Sequence, residues 1–321
     1  MKKLIFILLT VVFLIPKSYA QSIESFTKGL SKKEGFLNYY WDDNKGKLYL
    51  EISKLNHEIL YVNYLSAGVG SNDIGLDRGQ IGGSRIIKFI KMGPKVLMVQ
   101  PNYKFRAVSN NNEEVKSIED AFAKSTLWGF TVVAQSNSRY LLDASEFVLR
   151  DSHKISQRMT LRKQGSFKID KKSSSFDYLH SKNFPLNSEL ESFLTFRGVA
   201  TGAWLRSVSP DSETFSVRTR HSFVQLPDDG YIPRKFDPRA GYGAMTFYDY
   251  ASPIEDDLHV KYIRRHRLIK KYPKQEMSEA IEPIVYYLDR GVPEPVKSAL
   301  IEGASWWNEA FEAAGFKNAF Q

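Results

Sequence analysis

Short runs in which apolar and polar residues alternate recur along most of this chain, and that period of two restricts the fold more than any other feature. Within Lys47 to Ile52, Leu48, Leu50 and Ile52 fall on one face of an extended segment. Ile59–Tyr64, Arg85–Ile90 and Val96–Val99 follow, with a Gly93-Pro94 turn between the last two. Further strands are expected around Gly129–Ala134, Arg139–Asp143, Ser166–Lys171, Ser192–Arg197, Thr214–Gln225 and His259–Ile269. Turn residues separate them at Pro210-Asp211, Pro227 to Gly230, Asp237-Pro238-Arg239 with Gly241, and Ser252-Pro253. A short helix is expected over Ser117–Ala123, with Ser117 and Asp120 as a capping pair. Strands this short and closely spaced predict sandwich-like or curved-sheet packing rather than alternating βαβ units.

The pattern changes near residue 276. Pro283 to Asp289 predicts a strand, and Glu294 to Ala314 an amphipathic helix whose Val296, Leu300, Gly303, Ala304, Trp307, Phe311 and Ala314 share a face. Pro293 and Pro295 suit the first turn, Glu294 complements the positive end of the helix dipole, and Gly315 is a natural C-terminal cap. A strand followed by a helix of ~30 Å opens an α/β layer. The expected fold class is therefore α+β, mainly β: an antiparallel N-terminal region, then the first strand and helix of an incomplete α/β domain. The expected boundaries are 1–20 for a leader, 21–107 for a short β domain, 108–275 for a larger β-rich domain, and 276–321 for the start of a truncated domain.

The leader is expected from Met1-Lys2-Lys3, an apolar run from Leu4 to Ile15 broken only by Thr10, then Pro16, with Ser18 and Ala20 as small residues at a cleavage site. The run is shorter than the ~20 residues that span a bilayer. Cleavage removes three lysines, taking the net charge from +9 to +6. The expectation is an exported protein, periplasmic or extracellular, with no membrane span after cleavage and no nucleic-acid partner. Cysteine is absent, which excludes disulfides, thiolate metal sites and a cysteine nucleophile.

Candidate chemistry is sparse. His57-Glu58-Ile59-Leu60-Tyr61 begins like a zinc-hydrolase helix, but Tyr61 stands where the second imidazole is needed, and the segment reads as a strand. The Gly-rich stretch from Gly68 to Gly83 lacks the third glycine of a dinucleotide fingerprint. Asp73 and Asp77 match no EF-hand spacing, so a structural loop is expected. His153, His180, His221, His259 and His266 are scattered and read as structural or exposed. Ser84 and Ser305 lack the elbow of a serine hydrolase. The acid pairs Asp42-Asp43, Glu113-Glu114, Asp228-Asp229 and Asp256-Asp257 read as turn acceptors. The basic run Lys261 to Lys271 reads as a solvated strand paired with acids.

Several stretches resemble the N-terminal region of secreted, Bacteroidota-type zinc-dependent metalloproteases with a metzincin-like catalytic domain. These are Gly75 to Gly82, Gly93 to Val96, Phe236 to Tyr242, Arg265 to Leu268, and above all Glu282 to Asp289 with Pro293-Glu294-Pro295 and Glu302 to Phe316. The resemblance implies that residues 283–315 correspond to the first strand and helix of that catalytic domain. It implies zinc for the full-length family, a protein or peptide substrate, and hydrolysis by zinc-activated water with Glu as base. The family's zinc motif, His-Glu-x-x-His-x-x-Gly-x-x-His, has no matching positions here, so no catalytic, cofactor-binding or metal residue is assigned. The chain alone is expected to be inactive. The alternative expectation is a non-enzymatic exported β-rich module that binds cell-surface glycan or a protein partner.

Overall fold

The computed structural model describes residues 21–321; the expected leader lies outside the described residues. In chain order the strands are Ser31–Lys33 (β1), Tyr39–Asp42 (β2), Lys47–Ile52 (β3), Ile59–Ala67 (β4), Ile81–Met92 (β5), Lys95–Gln100 (β6), Phe105–Arg106 (β7), Ser125–Ser136 (β8) and Arg139–Asp143 (β9). Gly165–Ile169 (β10), Ser175–Phe176 (β11), Lys182–Asn183 (β12), Asn187–Ala200 (β13), Thr214–Gln225 (β14), Ala244–Asp249 (β15), His259–Ile263 (β16), Ser278–Glu279 (β17) and Phe316–Lys317 (β18) complete them. The helices are Ile23–Phe26 (α1), Asn112–Ala121 (α2), Ser145–Val148 (α3), Ile155–Leu161 (α4), Ala203–Val208 (α5), Val296–Ser305 (α6) and Trp307–Ala313 (α7).

The chain divides into two compact units. The first takes residues up to 102 with 120–227, and the second 103–119 with 228–321. In unit 1 the strands follow the path β1-β2-β3-β9-β8-β6-β5-β4-β14-β13-β10, with β11 and β12 also on β13, and every pairing is antiparallel. Within unit 1 strands from before residue 103 and after residue 119 share one sheet, β3 bonding to β9 and β6 to β8.

Mainly β packing is what the alternation predicts; of the two packings named, the sheet takes the curved one and curls into a nearly closed, barrel-like form. Its ends meet where residues 33–37 reach β12 and β13. Phe36 N–H donates to the Phe184 carbonyl at 2.7 Å, Leu37 N–H to Ser188 Oγ at 2.8 Å, and Asn183 Nδ2 to the carbonyls of Lys33 and Leu37 at 2.9 Å. Closure of this kind satisfies edge groups that would otherwise pair with another chain. The β5–β6 hairpin turns on Gly93, whose φ of +53 leads the two-residue Gly-Pro loop with the positive φ that tight hairpins need.

Inward positions form two apolar clusters. Leu48, Leu50, Tyr61, Phe89, Phe130, Phe147 and Phe223 belong to one, and Leu65, Ile155, Met159, Phe167, Leu194, Phe196 and Val217 to the other. The Gly-rich loop is structural, as expected, and contributes Ile74 and Leu76, both buried in the second cluster. Phe147 of α3 is fully buried, and its ring centroid lies 5.1 Å from that of Phe130, 6.1 Å from Tyr61 and 6.1 Å from Phe223.

Three expectations need correction. The first helix runs Asn112–Ala121 instead of 117–123, because Asn111 is the cap: its Oδ1 accepts from Glu113 N–H at 3.1 Å, and Ser117 lies mid-helix. The strand from His259 stops at Ile263; beyond it the backbone is irregular, Arg267 pairs with Asp228, and Lys271 lies 3.6 Å from Glu279. Residues 283–289 form no regular strand. Within unit 2, Ile284 instead makes an isolated parallel bridge to Phe320, flanked by Tyr286 N–H to the Gln321 carbonyl at 2.8 Å. With β17 parallel to β18, residues 278–286 run beside 316–321 across the intervening helix.

The expected helix is present from Val296 to Ala313, loosened at Trp306 between α6 and α7, and Glu294 accepts from Ser298 N–H at 3.2 Å. Gly315 caps it at φ +85, where a Cβ would also lie 2.7 Å from the Glu276 carbonyl oxygen. Elsewhere in unit 2, β15 pairs antiparallel with β16 and parallel with β7.

The Phe147→Ala variant is expected to lose ~3–5 kcal/mol of unit 1 stability, because the ring leaves a cavity among other rings. Denaturant unfolding measures this; a loss below about 1 kcal/mol would show that the helix is not part of the core.

Candidate functional site

The two apolar clusters described above are separated by polar residues at positions that alternation directs inward. On β4, Asn63 stands between Tyr61 and Leu65. On β14, Thr219 and His221 stand between Val217 and Phe223, and on β13, Ser192 stands between Leu190 and Leu194. The register stacks them, since His221 faces Asn63 and Thr219 faces Ser192 across neighbouring strands. All four are buried.

His221 is the centre of this layer. It is fully buried, and its Nδ1 shares a 2.7 Å hydrogen bond with the Tyr61 hydroxyl. Burial, reinforced by the nearby Arg150 charge and opposed by the Val148 backbone, pushes its pKa down to about 3, so the ring is neutral at physiological pH. Burial likewise raises the Tyr61 phenol, against the pull of Arg150. The Arg150 guanidinium carbon lies 4.4 Å from the Phe147 ring centroid and 5.2 Å from that of Trp128. It donates to the Leu127 carbonyl at 2.9 Å and to the Tyr61 hydroxyl at 3.3 Å.

This layer opens into a cleft of about 190 Å³ between β4, β5 and the segment that follows Arg150. Tyr61, Asn63 and Leu127 line one part; Arg85, Arg150, Asp151, Ser152 and Lys154 line the rest. The Asp151 carboxylate is committed to the start of α4, accepting from Ile155 N–H at 2.7 Å and Ser156 N–H at 2.9 Å. Beside the cleft, Asn63 Nδ2 donates to the Ser152 carbonyl at 3.2 Å, and His153 Nε2 lies 3.1 Å from Gln80 Oε1. His153 is also held below its ordinary pKa, by burial and the Arg158 charge against the pull of Asp151. The polar lining thus holds two guanidiniums, an ammonium, two hydroxyls and an amide against one carboxylate, a set in which donors predominate and which suits oxygen acceptors.

The residues singled out in the sequence lie elsewhere. His57 is exposed ahead of β4, Glu58 lies 3.2 Å from Lys88, and Tyr61 is core, so that segment forms no helix and no metal site. His180 pairs with Asp177 at 2.7 Å, and His259 stacks on Tyr248. Asp42, Asp228 and Asp257 accept backbone N–H groups in turns. Among the described residues no group of three or more His, Cys, Asp or Glu side chains is placed to hold a metal ion. Arg85, Arg150, Ser152 and His221 as a set escape sequence reasoning. The available signal is the interruption of an apolar alternation by Asn63, Thr219, His221 and Ser192 on three separate strands.

Residues 79–271 match the family described as domain of unknown function DUF5117. The chain belongs to the DUF5117 family. Residues 16–68 match a second description, domain of unknown function DUF5118. No curated protein and no solved structure matches the chain. The cleft draws on both matched segments: Tyr61 and Asn63 lie in the DUF5118 stretch, and Arg85, Leu127 and residues 150–154 in the DUF5117 stretch.

A buried neutral imidazole gives this DUF5117 protein a defined acid response. The unfolded chain binds a proton at His221 below about 6.5, while the folded ring stays neutral down to about 3. Stability therefore falls as pH drops through that window. Relative to His221→Phe, the natural protein is expected to lose up to ~1.4 kcal/mol more per pH unit between pH 5.5 and 4. Denaturant unfolding at several pH values gives both slopes; equal slopes would mean that the imidazole is not held neutral.

Proposed function

We propose that this chain is the non-catalytic N-terminal portion of a secreted zinc-dependent metalloprotease. In this reading unit 1 serves as a folding, inhibitory or substrate-positioning module, and residues 276–321 open an α/β catalytic layer. The observation that carries it is the parallel pairing of 278–286 with 316–321 across the 296–313 helix. Parallel pairing demands a crossover element and occurs in sheets covered on both faces. Two paired segments bury little by themselves. Val296, Leu300, Ile301, Trp306 and Trp307 remain 48–65% exposed on the helix, and Tyr287 is 94% exposed on the segment after the bridge. Apolar surface of that extent is what an adjoining layer covers. The resemblance of residues 282–316 to the opening of a metzincin-like domain supports the same reading.

Zinc does not fit the residues present, since no ligand set is assembled among the described residues. No step of peptide hydrolysis is therefore assigned to this chain. Protein beginning at Gln21 is expected to leave a fluorogenic casein substrate intact, with and without chelator; chelator-sensitive cleavage would overturn the non-catalytic assignment. Reading the gene past codon 321 tests the rest. A continuing frame encoding a His-Glu-x-x-His motif supports the reading, and a stop followed by unrelated sequence favours a self-standing binding module.

Removing residues 276–321 is expected to leave unit 1 cooperatively folded and to reduce self-association seen by light scattering. Loss of the unit 1 unfolding transition in that variant would mean that the segment belongs to its core.

A further inference from the structure

The cleft of unit 1 sets three cationic side chains, Arg85, Arg150 and Lys154, against a single carboxylate, Asp151. Among the described residues no carboxylate forms an ion pair with Arg85, Arg150 or Lys154, although all three line the same opening. The one acid in the lining, Asp151, has both oxygens engaged by backbone N–H groups. Two further polar atoms of the lining residues, Arg150 Nε and Ser152 Oγ, are buried without a hydrogen-bond partner among the described residues. A buried donor without a partner costs roughly 1–3 kcal/mol, so these two lining residues keep hydrogen-bonding capacity that no other group of the unit uses. Most other buried polar groups of this unit are paired; the Glu191 carboxylate, for example, is held by Arg218, Arg220 and Ser66.

We propose that this cleft binds the carboxylate end of a small acidic ligand. Arg85 and Lys154 supply the mobile charge at its mouth. Arg150 and the Ser152 hydroxyl form the floor, with Tyr61 holding Arg150 in place. Arg150 is fit for that part because its guanidinium sits over Phe147 and its Nη1 and Nη2 each donate one hydrogen bond, to Leu127 and Tyr61, so it loses little freedom on binding. The volume admits a terminal group and not an extended polymer, so the ligand enters end-on. A carboxylate of this kind ends a peptide or decorates an acidic sugar. The site does not depend on the metalloprotease reading, since every residue in it belongs to unit 1.

Isothermal titration calorimetry at low ionic strength tests it on protein beginning at Gln21. The probes are acetyl-Ala-Ala with a free carboxylate, its C-terminal amide, glucuronate, glucose and inorganic phosphate. At least one carboxylate is expected to bind with Kd on the order of 1 mM, and its neutral counterpart roughly tenfold or more weakly. Preference for the dipeptide acid assigns the source as a chain terminus, and preference for glucuronate as a sugar acid. Binding is expected to weaken roughly tenfold or more in R85Q/K154Q and with added salt, with thermal unfolding of that variant showing that it is folded. Equal binding of acid and neutral forms overturns the proposal. So does phosphate binding as tightly as the carboxylates, undiminished binding in the folded variant, or no heat from either acid at on the order of 10 mM.

Discussion

Unit 1 depends on one constraint: a sheet of this length must close on itself or expose a hydrogen-bonding edge. With no cysteine in the chain, no covalent bridge can fix its ends. The ends are joined by backbone and amide groups of residues 33–37 and 183–188, where Asn183 spans two carbonyls and Ser188 serves both as donor and acceptor to Leu37. Closure fixes which faces point inward, and every other property of the unit follows from that choice. The rings around Phe147 pack because the inward faces of β4, β8 and β14 converge on α3.

The same closure explains why polar side chains inside the barrel are tolerated. The Tyr61 hydroxyl hydrogen-bonds to both His221 and Arg150, and the imidazole and guanidinium both pack against the Phe147 ring. In a low-dielectric interior such a network is costly when incomplete and rigid when complete. The neutral state of His221 is part of this arrangement: a charged imidazole next to the Arg150 guanidinium would add repulsion to the cost of burial. The cleft then inherits a floor whose geometry is fixed by the core.

Unit 2 is organised differently. Its pairings are short, with a three-stranded sheet of β16, β15 and β7, and the parallel contact of 278–286 with 316–321. Here the helix from Val296 keeps its apolar residues about half exposed, while Asn308 anchors it by exchanging two hydrogen bonds with the backbone of Phe320. Local signals produce the helix; they do not supply a partner for its face.

Alternation by itself determined β3, β4, β9 and β14 closely, because a half-buried strand writes its period into local sequence, and Gly93 and Gly315 marked their turn and cap through a backbone geometry that only glycine adopts cheaply. The start of α2 was also written locally, in Asn111 with Glu113 and Glu114, but Ser117 offered a competing cap. Tertiary structure alone decided that β3 pairs with β9, that the sheet curls to closure, and that residues 284–286 bond in parallel to 319–321 instead of lengthening into a strand. It also gathered Arg85, Arg150, Ser152 and His221, which stand far apart in the chain, around one cleft. Pairing between distant strands depends on which edges closure leaves free, and that choice is made by the whole sheet, beyond the reach of any local period.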